Sequence, residues 1–233
     1  MPPARRARQN PIAPYTGVPA PDRRLTSSFT KRSKGAPAAV ARIGIVGAYS
    51  PSTAAAAAHA RALHDGLHDE PGDLAVKVVR VMRDAAESPA ESAPGVVHDL
   101  PATEEADNQA AARVLNEFDL VVIEHDFGVY GGPDGEQVLK ILEWICVPVV
   151  VVLHTVPANP TAARRAILAE LVRSVDAVVT LSEADRQRAH EHYQVGLRKV
   201  LVIDSPDRGE AGAAARHRDL FNALLRRPSA PSK

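Results

Sequence analysis

The groups in this 233-residue chain that could do chemistry gather in three places. The most distinctive is the run Glu124-His125-Asp126-Phe127-Gly128-Val129-Tyr130-Gly131-Gly132-Pro133-Asp134-Gly135. Its four glycines permit positive φ angles and close backbone approach, and Gly135 leads into a helix-period stretch whose N-terminus would favour an anion. The second is His154, which ends the apolar run 148–154 immediately before Thr155. A histidine so placed either holds structure by hydrogen bonding or exchanges a proton with a bound hydroxyl. The third is Tyr49-Ser50-Pro51-Ser52-Thr53, a polar loop that follows the first apolar run.

Other constellations lose their support on spacing. Glu124, His125 and Asp126 are metal-ligand types, but consecutive side chains point in diverging directions, so no metal is expected there. His64 and His68 share a helical face without a third ligand and read as surface histidines. In His190-Glu191-His192 the histidines lie on different helical faces, which excludes a zincin arrangement. Gly44-Ile45-Val46-Gly47 lacks the dinucleotide fingerprint and no phosphate-binding GxxxxGK(S/T) run occurs, so the usual nicotinamide and P-loop signatures are missing. The single Cys146 excludes a disulfide framework and multi-cysteine metal centres.

These groups need a scaffold, and the pattern of the middle of the chain supplies one. Short runs rich in valine and isoleucine occur at 42–48, 74–81, 119–124, 148–154, 176–181 and 199–203, with Val96-Val97 as a possible seventh strand. Helix-period stretches alternate with them at 53–68, 104–117, 135–145, 161–173 and 183–193. Thr103-Glu104-Glu105, Asn159-Pro160-Thr161 and Ser182-Glu183-Ala184-Asp185 carry helix-start signals. Nearly continuous apolar strands alternating with helices predict an α/β fold with one doubly wound, mostly parallel, Rossmann-like sheet. Ligands of such sheets bind outside the carboxyl ends of the strands, which is where all three groups fall. The stretch 84–102 reads as a loop or excursion.

The formal net charge is zero, yet it is unevenly distributed. Residues 1–41 carry eight basic groups, one acid and seven of the 19 prolines, the composition of a disordered basic tail. Residues 42–204 hold 14 basic and 24 acidic side chains, and 205–233 hold six and three. Residues 42–206 therefore read as the folded domain, and 207–233 as a short helix around 210–226 followed by a tail. The basic tail reads as a solvated arm, the sharper readings being weak contact with an anionic membrane surface or nucleic acid, or docking on the acidic domain itself; the overall balance gives no expectation of nucleic-acid binding. No window approaches 18 consecutive apolar residues and no apolar export signal follows the arginines, so the expected compartment is the cytoplasm.

Taken together, Val122 to Gly135, Val147-Pro148-Val149-Val150-Val151-Val152-Leu153-His154-Thr155-Val156, Ser174-Val175-Asp176-Ala177-Val178-Val179-Thr180-Leu181-Ser182-Glu183 and Lys199 to Pro206 resemble the N-terminal lobe of a GT-B glycosyltransferase of the retaining, family 4-like group. The resemblance covers about 42–206. It implies one lobe of a two-lobed enzyme: an acceptor-binding lobe for transfer of a sugar from a nucleotide-sugar, with the donor held by a second lobe. That second lobe is not visible in the sequence and is expected on a partner chain. Residue by residue, His154 matches the histidine near the transferred sugar and takes the catalytic role. His125, Asp126, Phe127, Gly128, Tyr130, Gly131, Gly132 and Asp134 match the acceptor-binding loop, and Tyr49, Ser50, Ser52 and Thr53 the loop nearest the donor. That last loop departs from the family by lacking its glycine pair. The resemblance implies no metal and no cofactor, the nucleotide-sugar being a co-substrate; the partners are a sugar or glycosylated acceptor. The alternative is a non-catalytic binding or regulatory module derived from the same lobe.

Overall fold

The computed structural model describes residues 41–69, 74–83, 93–103, 107–205 and 212–226. In chain order the elements are β1 (Ala41–Gly47), α1 (Ala55–Asp69), β2 (Leu74–Met82), β3 (Val96–Pro101), α2 (Asn108–Leu115), β4 (Leu120–His125), α3 (Gln137–Leu142), β5 (Val149–Leu153), α4 (Ala162–Ser174), β6 (Ala177–Thr180), α5 (Glu183–Tyr193), β7 (Val200–Val202) and α6 (Ala213–Leu225). The strands form one seven-stranded sheet in the order β3-β2-β1-β4-β5-β6-β7, and every pairing is parallel. This is the Rossmann-like sheet that the alternating apolar runs predict. The order runs one way from β1 to β3 and the other way from β4 to β7, so β1 and β4 flank a topological switch point.

Period-two alternation divides the apolar side chains between two cores. Ile43, Ile45, Val78, Leu120, Val122, Val150 and Val152 face one side, where they meet Ala60, Leu63 and Leu67 of α1 and Leu220, Phe221 and Leu224 of α6. Val79, Val121, Ile123, Val149, Val151 and Leu153 face the other, under α2, α3, α4 and α5. Both faces being covered is why the strands read as unbroken valine and isoleucine. Gly44 is required by packing: a Cβ there would lie 2.6 Å from the Phe118 ring.

Several elements differ from the sequence reading. The Val96-Val97 signal expands into β3, an edge strand of six residues, so 96–101 is not part of the expected loop. β3 pairs with β2 through a register shift at Val78/Val79, and its short, half-polar run (VVHDLP) hides it from a search for apolar runs. Helix α2 starts later than Thr103 suggests: its cap is Asp107, whose carboxylate accepts from Ala110 N, while 104–106 lie outside the described residues. At α4 the cap is Thr161 itself, with Pro160 before it, and at α5 it is Ser182, accepting from Asp185 N at 3.1 Å. The tail read over 1–41 lies outside the described residues except for Ala41, which opens β1.

The helix expected around 210–226 forms as α6, and it belongs to the core. Phe221 is fully buried, and Leu220, Leu224 and His217 join it on the face that packs beside α1. Phe221→Ala should lower unfolding free energy by about 3–5 kcal/mol, read as a lower urea midpoint at unchanged slope. A loss below about 1 kcal/mol would mean that α6 is only loosely docked.

Candidate active site

The carboxyl ends of β1, β4 and β5 are neighbours in the sheet, and the three groups picked out in the sequence meet above them. Strand parity decides which side chains converge. In β4, Leu120 and Val122 face the α1/α6 core, so Glu124 faces the same way. In β5, Val150 and Val152 do so, and His154 continues the alternation, its backbone N donating to His125 O at 3.0 Å. From α1, His59 joins them, because it sits on the apolar stripe of Ala56, Ala60 and Leu63.

The result is a carboxylate held between two imidazoles. His154 Nε2 lies 2.7 Å from Glu124 Oε2, and His59 Nδ1 lies 3.2 Å from Oε1 and 3.1 Å from Oε2. An ionised carboxylate can only accept, so both ring nitrogens donate, which leaves Nδ1 of His154 for other work. The side chains of His59, Glu124 and His154 are 1%, 0% and 5% exposed. Burial by itself would push the Glu124 pKa up. The His59 charge and the hydrogen bonds from His154 and His59 outweigh it and hold the carboxyl well below the usual carboxylate range. The rings of His59 and His154 meet edge to face at 4.9 Å, and that of His217, from α6, lies 5.9 Å from His59. His217 Nδ1 donates to Ala213 O at 2.9 Å, while its buried Nε2 has no hydrogen-bond partner among the described residues.

Glu124, His125 and Asp126 do diverge, as their adjacency requires. His125 turns to the opposite face of the sheet, edge-on to Phe127 at 5.0 Å and stacked against Tyr130 at 6.3 Å. It is completely buried, neither of its ring nitrogens has a hydrogen-bond partner among the described residues, and burial pulls its pKa down to about 4. Asp126 stays near the surface, accepting from Gly128 N at 3.1 Å and Thr155 Oγ1 at 3.3 Å.

The rest of the loop is pinned from within. The Tyr130 hydroxyl is buried 3.1 Å from both Val46 O and Glu124 O, sharing its proton between the ends of β1 and β4. Gly131 N donates to Gln137 Oε1, and a Cβ at Gly131 would collide with the Ala102 backbone at 2.6 Å. Gly132 takes φ +92, the left-handed region that favours glycine. Asp134 pairs with Arg164 at 2.8 Å, and Arg164 lies over the Phe127 ring. The helix after Gly135 is only six residues long and Glu136 stands at its start, accepting from Asp134 N, so the anion site expected there is already engaged from within the loop.

Of the residues picked out in the sequence, Ser50, Ser52, Thr53, Asp126, Gly128, Gly132 and Asp134 are half-buried or exposed and border the open end of the sheet. Tyr49, His125, Phe127, Tyr130 and Gly131 are buried and shape that border from beneath. Tyr49 packs against His64, which is itself buried and bonded to Asp65 at 2.9 Å; only His68 is a surface histidine of that pair. Arg80 of β2 is buried, forks onto Asp99 at 2.7 and 2.8 Å and donates to Ser50 O at 2.9 Å, fixing the loop after β1. Sequence reasoning missed His59, His217, Arg80 and the inward role of Glu124. The available signal was a histidine within the apolar stripe of a helix, which His59 and His217 both provide.

Because native His125 stays neutral while an unfolded histidine titrates near 6.5, the unfolded chain binds more protons between pH 6.5 and 4. Its share of stability is complete above pH 6.5 and is lost as pH falls towards 4, about 3 kcal/mol in all. Urea titrations across that range should show this slope and a shallower one in His125→Phe. An identical slope in both proteins would contradict the burial of a neutral ring.

No protein-family model matches the sequence, and no curated protein matches it. Solved structures do. The UDP-N-acetylglucosamine 2-epimerase from Rickettsia bellii superposes with a TM-score of 0.51 at 11% identity, covering 79% of this chain and 49% of that one. An alpha-glucosyltransferase in complex with UDP and a 13-mer DNA containing a HMU base gives 0.48 at 17% identity, covering 70% and 41%. Anabaena Alr3699/HepE in complex with UDP and glucose gives 0.47 at 15% identity, covering 71% and 44%. The chain spans less than half the length of these three proteins. At such identity the likeness to the 2-epimerase is one of fold: a Rossmann-like lobe of the GT-B type.

Proposed function

We propose that the chain is a glycosyltransferase-like protein, in which this lobe is the acceptor side of a GT-B enzyme of the retaining, family 4-like kind. His154 carries the reading. It stands at the carboxyl end of β5, one strand from the switch point, with Nε2 committed to the buried Glu124 and Nδ1 left over. A ring anchored in that way is oriented before any ligand arrives, and its Nδ1 edge suits hydrogen bonding to the hydroxyls of an acceptor sugar. Asp126 and Thr155, bonded to each other beside it, offer carboxylate and hydroxyl oxygens of the kind that recognise sugar hydroxyls.

The donor would be a nucleotide-sugar, as the resemblance of the sequence to the GT-B lobe implies. Its phosphates need positive charge. Arg80 and Arg164 near this face are already paired with Asp99 and Asp134, and the phosphate clamp is assigned to a second Rossmann-like lobe facing this one. No metal or cofactor enters the transfer in this reading, and the acceptor is a sugar or a glycosylated molecule.

Two measurements on the full chain test it. Saturation-transfer NMR against a panel of mono- and disaccharides should find at least one that contacts the protein, with the signal lost in His154→Ala at a temperature where the far-UV spectrum shows the variant folded, its urea midpoint lowered by the loss of a Glu124 partner. Silence across the panel would count against an acceptor site. Calorimetry with UDP-glucose and UDP-N-acetylglucosamine should show a Kd no tighter than about 1 mM, some 4 kcal/mol. Micromolar binding would overturn the assignment of the donor to another lobe.

A further inference from the structure

Behind the sugar-facing edge of His154 the structure assembles a cluster that positioning a sugar does not by itself require. His59 from α1, Glu124 from β4 and His154 from β5 present two imidazole nitrogens and a carboxylate, all within 4.8 Å of one another. They come from three separate elements, are separated by up to 95 residues of sequence, and are buried almost completely. Close by stands a fourth group of the same kind. His217 from α6 is wholly buried, has Nδ1 turned back to its own helix, and has an Nε2 with no hydrogen-bond partner among the described residues. A buried imidazole with one edge idle is costly unless something occupies that edge.

We propose that His59 Nδ1, Glu124 and His154 Nε2 form a site for a first-row divalent cation such as zinc, with the ring of His217 standing beyond this set, 5.9 Å from that of His59. Two imidazoles with one carboxylate are a zinc-binding donor set, with water as the fourth ligand. Tetrahedral ligands about 2.0–2.1 Å from zinc stand roughly 3.3 Å apart, so the observed spacings of 2.7 and 3.1 Å need only a small opening. Binding would replace the two N–H···O bridges, each neutral ring coordinating through its unprotonated nitrogen and carrying its single proton on the far one, Nε2 of His59 and Nδ1 of His154. The dication then takes over the neutralisation of Glu124. It would also fasten α1 to the ends of β4 and β5, a structural role behind the sugar-facing edge of His154.

The test uses the full chain, stripped with chelator and then titrated with zinc in competition with a chromophoric chelator. One equivalent should bind with a dissociation constant below about 1 µM, and the thermal midpoint should rise with zinc and fall again on chelation. His59→Ala should weaken binding by at least about a hundredfold, whereas the double variant His64→Ala, His68→Ala should leave it unchanged. Because His59→Ala also removes a buried partner of Glu124, cobalt substitution of the wild type gives a second reading independent of that variant's stability. The intense visible bands of a four-coordinate site support the proposal, and the weak bands of a six-coordinate surface ion overturn it. Binding weaker than about 100 µM, or binding that survives in folded His59→Ala, also overturns it. None of these readouts involves a sugar, so their failure would leave the acceptor-lobe reading standing, and the converse holds too.

Discussion

A charge without water must find its compensation in protein, and the buried Glu124 carboxylate sets that condition for the centre of this molecule. Two imidazoles meet it, one from the helix packed on the sheet and one from the next strand. Meeting it constrains much else. Helix α1 must turn one particular stripe towards the sheet, and β4 and β5 must end level with one another. The backbone oxygen of the same residue must accept from Tyr130, whose hydroxyl also reaches β1. The chemistry at the open end therefore rests on a polar cluster that is shut off from solvent.

The glycine-rich loop and the polar cluster divide the labour. The loop's visible residues form a border, while its buried ones, His125, Phe127 and Tyr130, hold that border in place from the opposite core. Arg80 performs the corresponding task for the loop after β1, reaching from the second strand to Ser50 O while gripping Asp99 on the edge strand. Neither loop depends on glycine alone for its shape. This bears on the missing glycine pair after β1: the loop is braced by a guanidinium and the buried Tyr49.

Much of the scaffold was legible because its physics is local. Valine and isoleucine runs such as 148–154 announce strands covered on both faces, and Ser182 with Asp185 announces the start of α5. The edge strand β3 was nearly invisible because its half-polar sequence follows neither period strongly. At the site the legible part was His154 and the loop beside it. The partnership with His59 was not, since it joins residues 95 positions apart, and it depends on which stripe of α1 faces the sheet. His64 shows the opposite error: spacing suggested an exposed pair, and packing against Tyr49 buried one member.

The back-to-back placement of Glu124 and His125 has a consequence for how the chain avoids misfolding. Strand β4 is apolar on both faces, so hydrophobic burial alone discriminates weakly between its correct alignment and one displaced by a single residue. The two polar residues at its end remove that ambiguity. A displaced strand would thrust the carboxylate among Phe127 and Tyr130, where no imidazole is positioned to neutralise it, and would set the neutral ring of His125 between His59 and His154. The charge thus acts as a proofreading mark, penalising the wrong alignment in a strand whose remaining side chains would tolerate it.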